Sequence, residues 1–310
     1  MADWTSMSGG KIIVGIGELL WDMLPGGARL GGAPSNFAVM AARLGSHGVI
    51  ASRLGQDDFG QRALDVLAQL PVDASLLQAD ADYPTGTVSV KLAEGEPEYT
   101  IHEPVAWDRL ALTEEWRALA QRADAVCFNT LAQRQGVSHE TIQGFIAATR
   151  PECVRVFDLN LRQSFYSSEI VLESLPKATV LKLNETEIGS ILSLAGLGEA
   201  KDDLHEAACL LLESFPLKLV CITLGAKGSL LVSREGYHRH PGVRSVLKDA
   251  VGAGDAFTAA LTHYYLAGAA LAVLNEAGNR WGSWVASQAG AMPPLSVETL
   301  DAITREIGDL

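Results

Sequence analysis

Residues 249–258 read DAVGAGDAFT and lead into AALTHYYLAG, a mostly apolar run with no breaker before Gly268. Glycines at the mouth of a helix leave backbone N–H groups open at its positive end, an arrangement suited to an anion. Gly252, Ala253 and Gly254 would present three successive N–H groups able to wrap a phosphate or the transition state of its transfer. Asp255, where the pattern starts the helix, has the wrong charge for a phosphate pocket. Two readings account for it. It favours the helix dipole, as acids in a first turn do. Or it takes the proton of an acceptor hydroxyl lying between itself and the phosphate, acting as the general base of a phosphoryl transfer.

Other nucleotide motifs do not compete. Nothing matches GxxxxGK[ST], the protein-kinase set is missing, and GIGELL (15–20) carries only the first two glycines of GxGxxG, a poor basis for a dinucleotide oxidoreductase. Three further stretches carry polar groups at strand ends. NETE (184–187) follows the run VLKL and has the spacing of a capping arrangement, Asn at the cap and Glu three residues on. DLNLR (158–162) sits just past a buried run, where ligands of α/β sheets bind; a polar turn with a surface arginine is the plain alternative. Asp22 follows the first strand, and Gly31–Gly32 precedes Asn36 at a helix start. A carboxylate and an amide can bridge neighbouring hydroxyls, and glycine lets a sugar approach the backbone, though a solvated aspartate and a turn read as well.

The elements that must position these groups alternate between strand and helix. Buried strands are expected at 11–17, 125–129, 154–158, 180–183 and 219–224, and helices at 34–44, 57–70 and 138–149. Such alternation implies an α/β chain with a parallel sheet covered on both faces. Residues 85–108 break it, with TVSVKL and EYTIHE flanking the turn-like AEGEP as an inserted hairpin; WDMLPGGARLGG offers strands to the same appendage. A small inserted sheet beside such a core suits a lid over a ligand. No linker or repeat divides the chain, so one domain over residues 1–310 is expected, with lid segments at about 18–32 and 85–106.

Composition sets limits. A net charge of −13 argues against nucleic acid and anionic membranes as main partners, while a small anionic ligand remains compatible with local backbone fields. The four cysteines, Cys127, Cys153, Cys209 and Cys221, form no metal or disulfide pattern. The start MADWTSMSGGK lacks a signal-peptide pattern, and no apolar run is long enough to cross a bilayer; the expectation is a soluble, cytoplasmic protein. His102 and His263 are expected to satisfy local hydrogen bonds, and Trp107 and Trp281 to pack.

DAVGAGD resembles the C-terminal signature of the ribokinase-like (PfkB-type) sugar kinases, with Ala250 in place of the usual Thr, and GGAPSNFAVMAARLG (31–45) resembles their N-terminal signature. GELLWDMLP, YTIHEPVAWD and FDLNLRQSFYS are most similar to the bacterial fructokinase-like branch. The resemblance covers essentially the whole chain. It implies a three-layer sandwich with a mostly parallel central sheet and a small inserted β-sheet lid. It also implies an ATP-dependent kinase acting on a primary sugar hydroxyl, with fructose as the first expectation. Ribose, 2-keto-3-deoxygluconate or a nucleoside remain as alternative acceptors, and a non-catalytic sugar or nucleotide sensor as an alternative class.

The same resemblance implies roles. Asp255 is the base, with Gly252, Ala253 and Gly254 as the anion hole. Asp22, Gly32, Asn36, Asn160 and Arg162 lie toward the sugar or the transferred phosphate. Thr223, Gly225, Gly228 and Asn279 meet ATP, Lys227 being a solvent lysine in the same turn. Asn184 and Glu187 help place Mg²⁺, largely through water, and Asp249, Val251, Ala286 and Gly290 surround a monovalent cation such as K⁺. The family also implies a homodimer joined through the lid, whose strand edge is open to pairing.

Overall fold

In the computed structural model, residues 10–24, 26–93, 96–198 and 203–308 are described, the side chains of 90–99 excepted. The first nine residues and the centre of the AEGEP turn lie outside the described residues. The chain enters on β1 (Ile12–Ile16), leaves through the pair β2 (Leu20–Leu24) and β3 (Gly27–Gly31), and returns along α1 (Ala33–Arg43) to β4 (His47–Ala51). Then come β5 (Arg53–Gly55), α2 (Asp58–Leu67), β6 (Gln78–Asp80) and the hairpin of β7 (Gly86–Ala93) and β8 (Glu96–Ile101). Next are α3 (Glu114–Arg122), β9 (Ala125–Asn129), α4 (Gly136–Ala148), β10 (Val154–Asp158), α5 (Ser168–Ser174), β11 (Val180–Asn184) and α6 (Ile188–Leu194). The rest is α7 (Leu204–Ser214), β12 (Leu219–Thr223), β13 (Ser229–Ser233), β14 (Gly236–His240), α8 (Ala253–Leu266), α9 (Leu271–Ala286) and α10 (Val297–Gly308).

The main sheet has eight strands in the order β14-β13-β12-β11-β10-β9-β1-β4. Pairing from β4 through β12 is parallel, and β13 and β14 are added antiparallel at one edge. The buried apolar runs expected as strands all fall in it. Successive residues of each strand enter opposite cores, as the two-residue period of a strand requires. Val14, Val126, Phe157, Leu181 and Val220 pack with α3, α4, α6 and α7, while Ile13, Ala125, Val156, Val180 and Cys221 pack with α8, α9 and α10. A sheet apolar on both faces must be covered on both, which gives the three layers.

A second sheet, ordered β3-β2-β7-β8, is built from the two segments outside the alternating pattern. Its strands β2 and β3 are antiparallel, β2 and β7 parallel, and β7 and β8 antiparallel. The helix expected over 57–70 is shorter than its apolar spacing suggested. It is capped by Asp57 and tightens after Leu67 into turns at Gln69 and Leu70, because Pro71 cannot continue it. The last long helix pair also differs in detail: α8 starts at Ala253, so Asp255 lies inside its first turn rather than at its start.

The placement of α1 depends on two glycines beneath it. A Cβ on Gly15 of β1 would lie 1.9 Å from the Pro34 carbonyl oxygen, and one on Gly48 of β4 2.2 Å from that of Ala38. Helix and sheet therefore touch backbone to backbone, and the helix start that carries Asn36 is held close to the strand ends. Gly15→Ala is expected to push α1 off β1 and lower stability by more than about 2 kcal/mol, read as a lower urea midpoint.

Candidate active site

Polar residues gather where the parallel strands end at their carboxyl sides, the place where open α/β sheets receive ligands. Glu18 follows β1, Asn129 closes β9, Asp158 closes β10, Lys182 and Asn184 close β11, and Thr223 closes β12. The start of α8 is brought to the same end. Its cap residue Gly252 has φ 79°, and a Cβ there would lie 2.5 Å from that of Ala291, so only glycine fits. No side chain caps this helix, as none caps α1, α4, α6 or α9, whereas α2, α3, α5 and α7 are capped by Asp57, Thr113, Ser167 and Asp203. The Ala253 N–H donates to the Ala250 carbonyl at 3.3 Å, and those of Gly254 and Asp255 are left for another acceptor.

Asp255 projects from that first turn and stays partly open to solvent. Its Oδ2 accepts a 2.7 Å hydrogen bond from Asn36 Nδ2. Facing a carboxylate fixes the amide's orientation, and Asn36 Oδ1 is then buried with no partner among the described residues. A buried amide oxygen without a donor is uncommon, and a ligand hydroxyl would satisfy it. Burial and the charge of Asp158 push the Asp255 carboxyl up to about 6, against the pull of the Asn36 bond and of the Lys182 and Arg162 charges.

Lys182 is the residue that motif reading misses. It lies opposite Asp158 in the β10–β11 register, is buried, and its Nζ stands 3.0 Å from both Asp158 oxygens. The same Nζ would be 3.1 Å from a Cβ on Gly254, so the ammonium sits against the glycine turn at the start of α8. Burial works against this charge, but Asp158, Asp255 and Glu187 outweigh it and hold the lysine above its ordinary pKa. The signal was present in VLKL: a lysine inside a buried strand has no water and must find partners. Glu18 and Asn129 were also not expected. Asn129 Nδ2 reaches Glu18 Oε1 and Oε2 at 2.8 and 3.1 Å, and the N–H of Ala33 reaches Oε1 at 3.1 Å, which pins the start of α1. Burial pushes the Glu18 carboxyl up to about 7 despite these donors. No local motif marks them.

The DLNLR loop joins the cluster. Asn160 has φ 45° and Gln163 φ 48°, conformations that non-glycine residues rarely hold outside functional loops. Arg162 is exposed, its Nη1 donating to the Leu161 carbonyl, and its charge is felt at Asp255. Glu187 ties this loop to β11: its oxygens accept the N–H of Leu161 at 2.8 Å and of Asn184 at 2.9 Å. Burial holds Glu187 above the ordinary carboxylate range. Asn184 caps the turn through Oδ1, which accepts from the N–H groups of Thr186 and Glu187. Capping is therefore the role its geometry shows directly.

The remaining expected residues fall in two further places. Thr223, Gly225 and Gly228 form the turn from β12 to β13, where Lys227 pairs with Glu185 in solvent. Asn279 adjoins that turn, its Nδ2 bonded to Ser229 Oγ at 2.7 Å and to the Asn275 carbonyl at 2.7 Å in a buried network. Gly32 caps α1. Asp22 lies in a separate cluster with Arg29 and Asp249, where burial and the Asp249 charge push its carboxyl up to about 6. Asp249, Val251, Ala286 and Gly290 meet beside it. Val251 and Gly290 donate N–H groups to the Asp249 carboxylate, Ala286 O accepts from Lys248 and Asp249, and Arg29 supplies the positive charge. His102 and His263 bond Ser89 and Ser46, and Trp107 and Trp281 are core.

Removing one partner of the buried pair tests its weight. Lys182→Met is expected to cost about 3–5 kcal/mol in urea unfolding, and Lys182→Met with Asp158→Leu to recover most of it.

Residues 26–298 match the model of the pfkB family carbohydrate kinases. The chain is 30% identical to the putative sugar kinase PH1459 of Pyrococcus horikoshii over 268 residues, 81% of each chain. A solved structure of that protein superposes with a TM-score of 0.80, covering 96% of this chain and 99% of the other at 28% identity. Fructokinase of Klebsiella pneumoniae is 32% identical over 81% of this chain and 83% of its own length. Fructokinase from Vibrio cholerae O395, solved with fructose, ADP and calcium and, as a double mutant, with fructose, ADP and potassium, has TM-scores of 0.80 and 0.79 at 25% identity, covering 95% of this chain and 98% of its own. No helix among the described residues is long and apolar enough to cross a membrane. With most of its length matched by the family model, the chain belongs to the pfkB family of carbohydrate kinases.

Proposed function

We propose that this sugar kinase transfers the γ-phosphate of ATP to a primary hydroxyl of fructose, giving fructose 6-phosphate. One observation carries the chemistry: Asp255 and the unpartnered Oδ1 of Asn36 stand together beside the uncapped start of α8. A hydroxyl placed there donates its proton to Asp255 as its oxygen attacks phosphorus. The N–H groups of the Gly252–Asp255 turn receive the charge that builds on the phosphoryl oxygens, and Lys182 and Arg162 add positive potential. Phosphoryl transfer needs such positioning and charge stabilisation more than covalent help.

Fructose as acceptor is supported by the fructokinases among the relatives. On this reading Asn36, with Asp22 from the lid, meets sugar hydroxyls, and the turn of Thr223, Gly225 and Gly228 at the end of β12 meets the nucleotide. A magnesium ion would neutralise phosphate charge. Among the described residues no three acidic, His or Cys side chains form a cage, so such an ion fits as one carried by nucleotide phosphates and water, with Glu187 near. The lid sheet ends in β3 and β8, and we propose that such an edge pairs with a second copy.

Asp255→Asn is expected to lower kcat by about 10²–10⁴-fold with fructose in a coupled ADP assay, the span of a lost general base. A panel of fructose, ribose, 2-keto-3-deoxygluconate and nucleosides tests the acceptor; ribose exceeding fructose in kcat/KM rejects the assignment. Because Asp255 must be deprotonated to act, kcat/KM should fall as pH drops through about 6, where its raised carboxyl titrates. Sedimentation should show a dimer for the full chain and a monomer without residues 86–101; monomer mass in both rejects pairing through the lid.

A further inference from the structure

Arg134 lies just past the end of β9, and only 1% of its side chain is exposed. Its guanidinium makes a fork on Asp108, Nε reaching Oδ1 and Nη2 reaching Oδ2, both at 2.8 Å. Nη2 also donates to the carbonyl of His102, the residue after β8, at 2.8 Å. Asp108 in turn accepts the N–H of Val105 at 3.0 Å. These bonds fasten residues 102–108, the segment by which the lid hairpin returns to the core.

Two aromatic rings cover the same guanidinium. Its carbon is 4.0 Å from the centre of the Trp107 ring and 4.7 Å from that of Phe165. Trp107 belongs to the lid side: a Cβ on Gly86, the first residue of β7, would lie 2.3 Å from its Nε1, so the indole is wedged against the base of that strand. Phe165 belongs to the loop that carries Asn160 and Arg162. Its N–H donates to the Arg162 carbonyl at 3.0 Å and closes the turn from which the Arg162 side chain extends. One arginine thus touches the lid base and the substrate loop together.

That loop needs holding, because the left-handed backbone at Asn160 and Gln163 persists only where the surroundings enforce it. From β11, Glu187 fixes the Leu161 N–H; from the lid side, the Phe165 ring rests on Arg134. Stability gives the arginine little reason to be there. A buried ion pair is often no better than apolar residues of the same volume, and Nη1 is buried with no hydrogen-bond partner among the described residues. What the planar group does supply is direction, since a fork and a ring stack both fix its orientation.

We infer that Arg134 is a positioning residue for phosphoryl transfer, locking the base of the lid to the loop of Arg162 and so holding the Arg162 guanidinium toward the reacting corner. Its action passes through Phe165. The inference rests on the sugar-kinase reading for its rates, though not for the order of the loop.

Two variants test it. Arg134→Lys keeps a charge beside Asp108 but loses the fork and the flat face, while Phe165→Leu, at a half-buried position, removes only the ring on the loop side and serves should the lysine variant not fold. In each, hydrogen exchange of the amides of 159–166 should speed up by roughly tenfold or more, with the central strands still protected. With fructose, kcat/KM should fall by about five- to twentyfold while KM for ATP stays within about twofold. In an Arg162→Ala background the same changes should cost less than about twofold, since the group they position is gone. An equal cost in both backgrounds, or wild-type exchange in the loop, overturns the inference. If the wild type phosphorylates no sugar, the sugar-kinase reading fails, and loop exchange in the two variants still decides whether Arg134 holds that segment.

Discussion

One ammonium group balances the charge of this site. Asp158, Asp255, Glu187 and Glu18 are brought to one end of the central sheet, where burial first and neighbouring negative charge second raise the carboxyls of Asp255, Glu187 and Glu18. Lys182 rises from the middle of that space, bonded to Asp158 and lying against the glycine turn of α8. Asp255 feels its charge as well as that of Asp158, and its carboxyl settles near 6, low enough to be ionised at neutral pH and high enough to accept a proton. Desolvation makes each charge costly alone, and the pairing makes the set tolerable.

The rest of the fold brings backbone ends to this balance point. Six parallel strands deliver polar residues at their carboxyl ends because both faces are taken by helices, leaving only the strand ends open. Two helices then meet there from opposite ends of the chain. Helix α1 lies flat on β1 and β4 through Gly15 and Gly48, which sets Asn36, while α8 begins at a left-handed Gly252, which sets Asp255. The 2.7 Å bond between them spans 219 positions of sequence and closes the reacting corner.

The lid is tied to that corner by charge as well as by chain connection. Arg29 and Asp249 join β3 to the loop before α8, so the small sheet shares a contact with the glycine turn that starts this helix. Asp22, expected beside the sugar, stands in this cluster, opposite Arg29 in the lid strands.

Local chemistry was legible in the chain itself. The alternation of buried runs with helical stretches, the glycine turn with Asp255, the Asn36 signature and the Asn184–Glu187 capping spacing all depend on residues a few positions apart, and these interactions survive in any fold that contains them. Lys182, Glu18, Asn129 and Arg29 were not legible in the same way. Their partners lie 24, 111 and 220 positions away: the lysine in VLKL signals that it needs a partner but not which one, and the arginine in GGARLGG has no meaning until the lid brings a carboxylate to it. The family resemblance grouped Asp249, Val251, Ala286 and Gly290, but only the tertiary structure decided that the N–H groups of Val251 and Gly290 and an arginine from the lid would face the Asp249 carboxylate, because the direction of a backbone group and the reach of a side chain are set by packing, not by spacing.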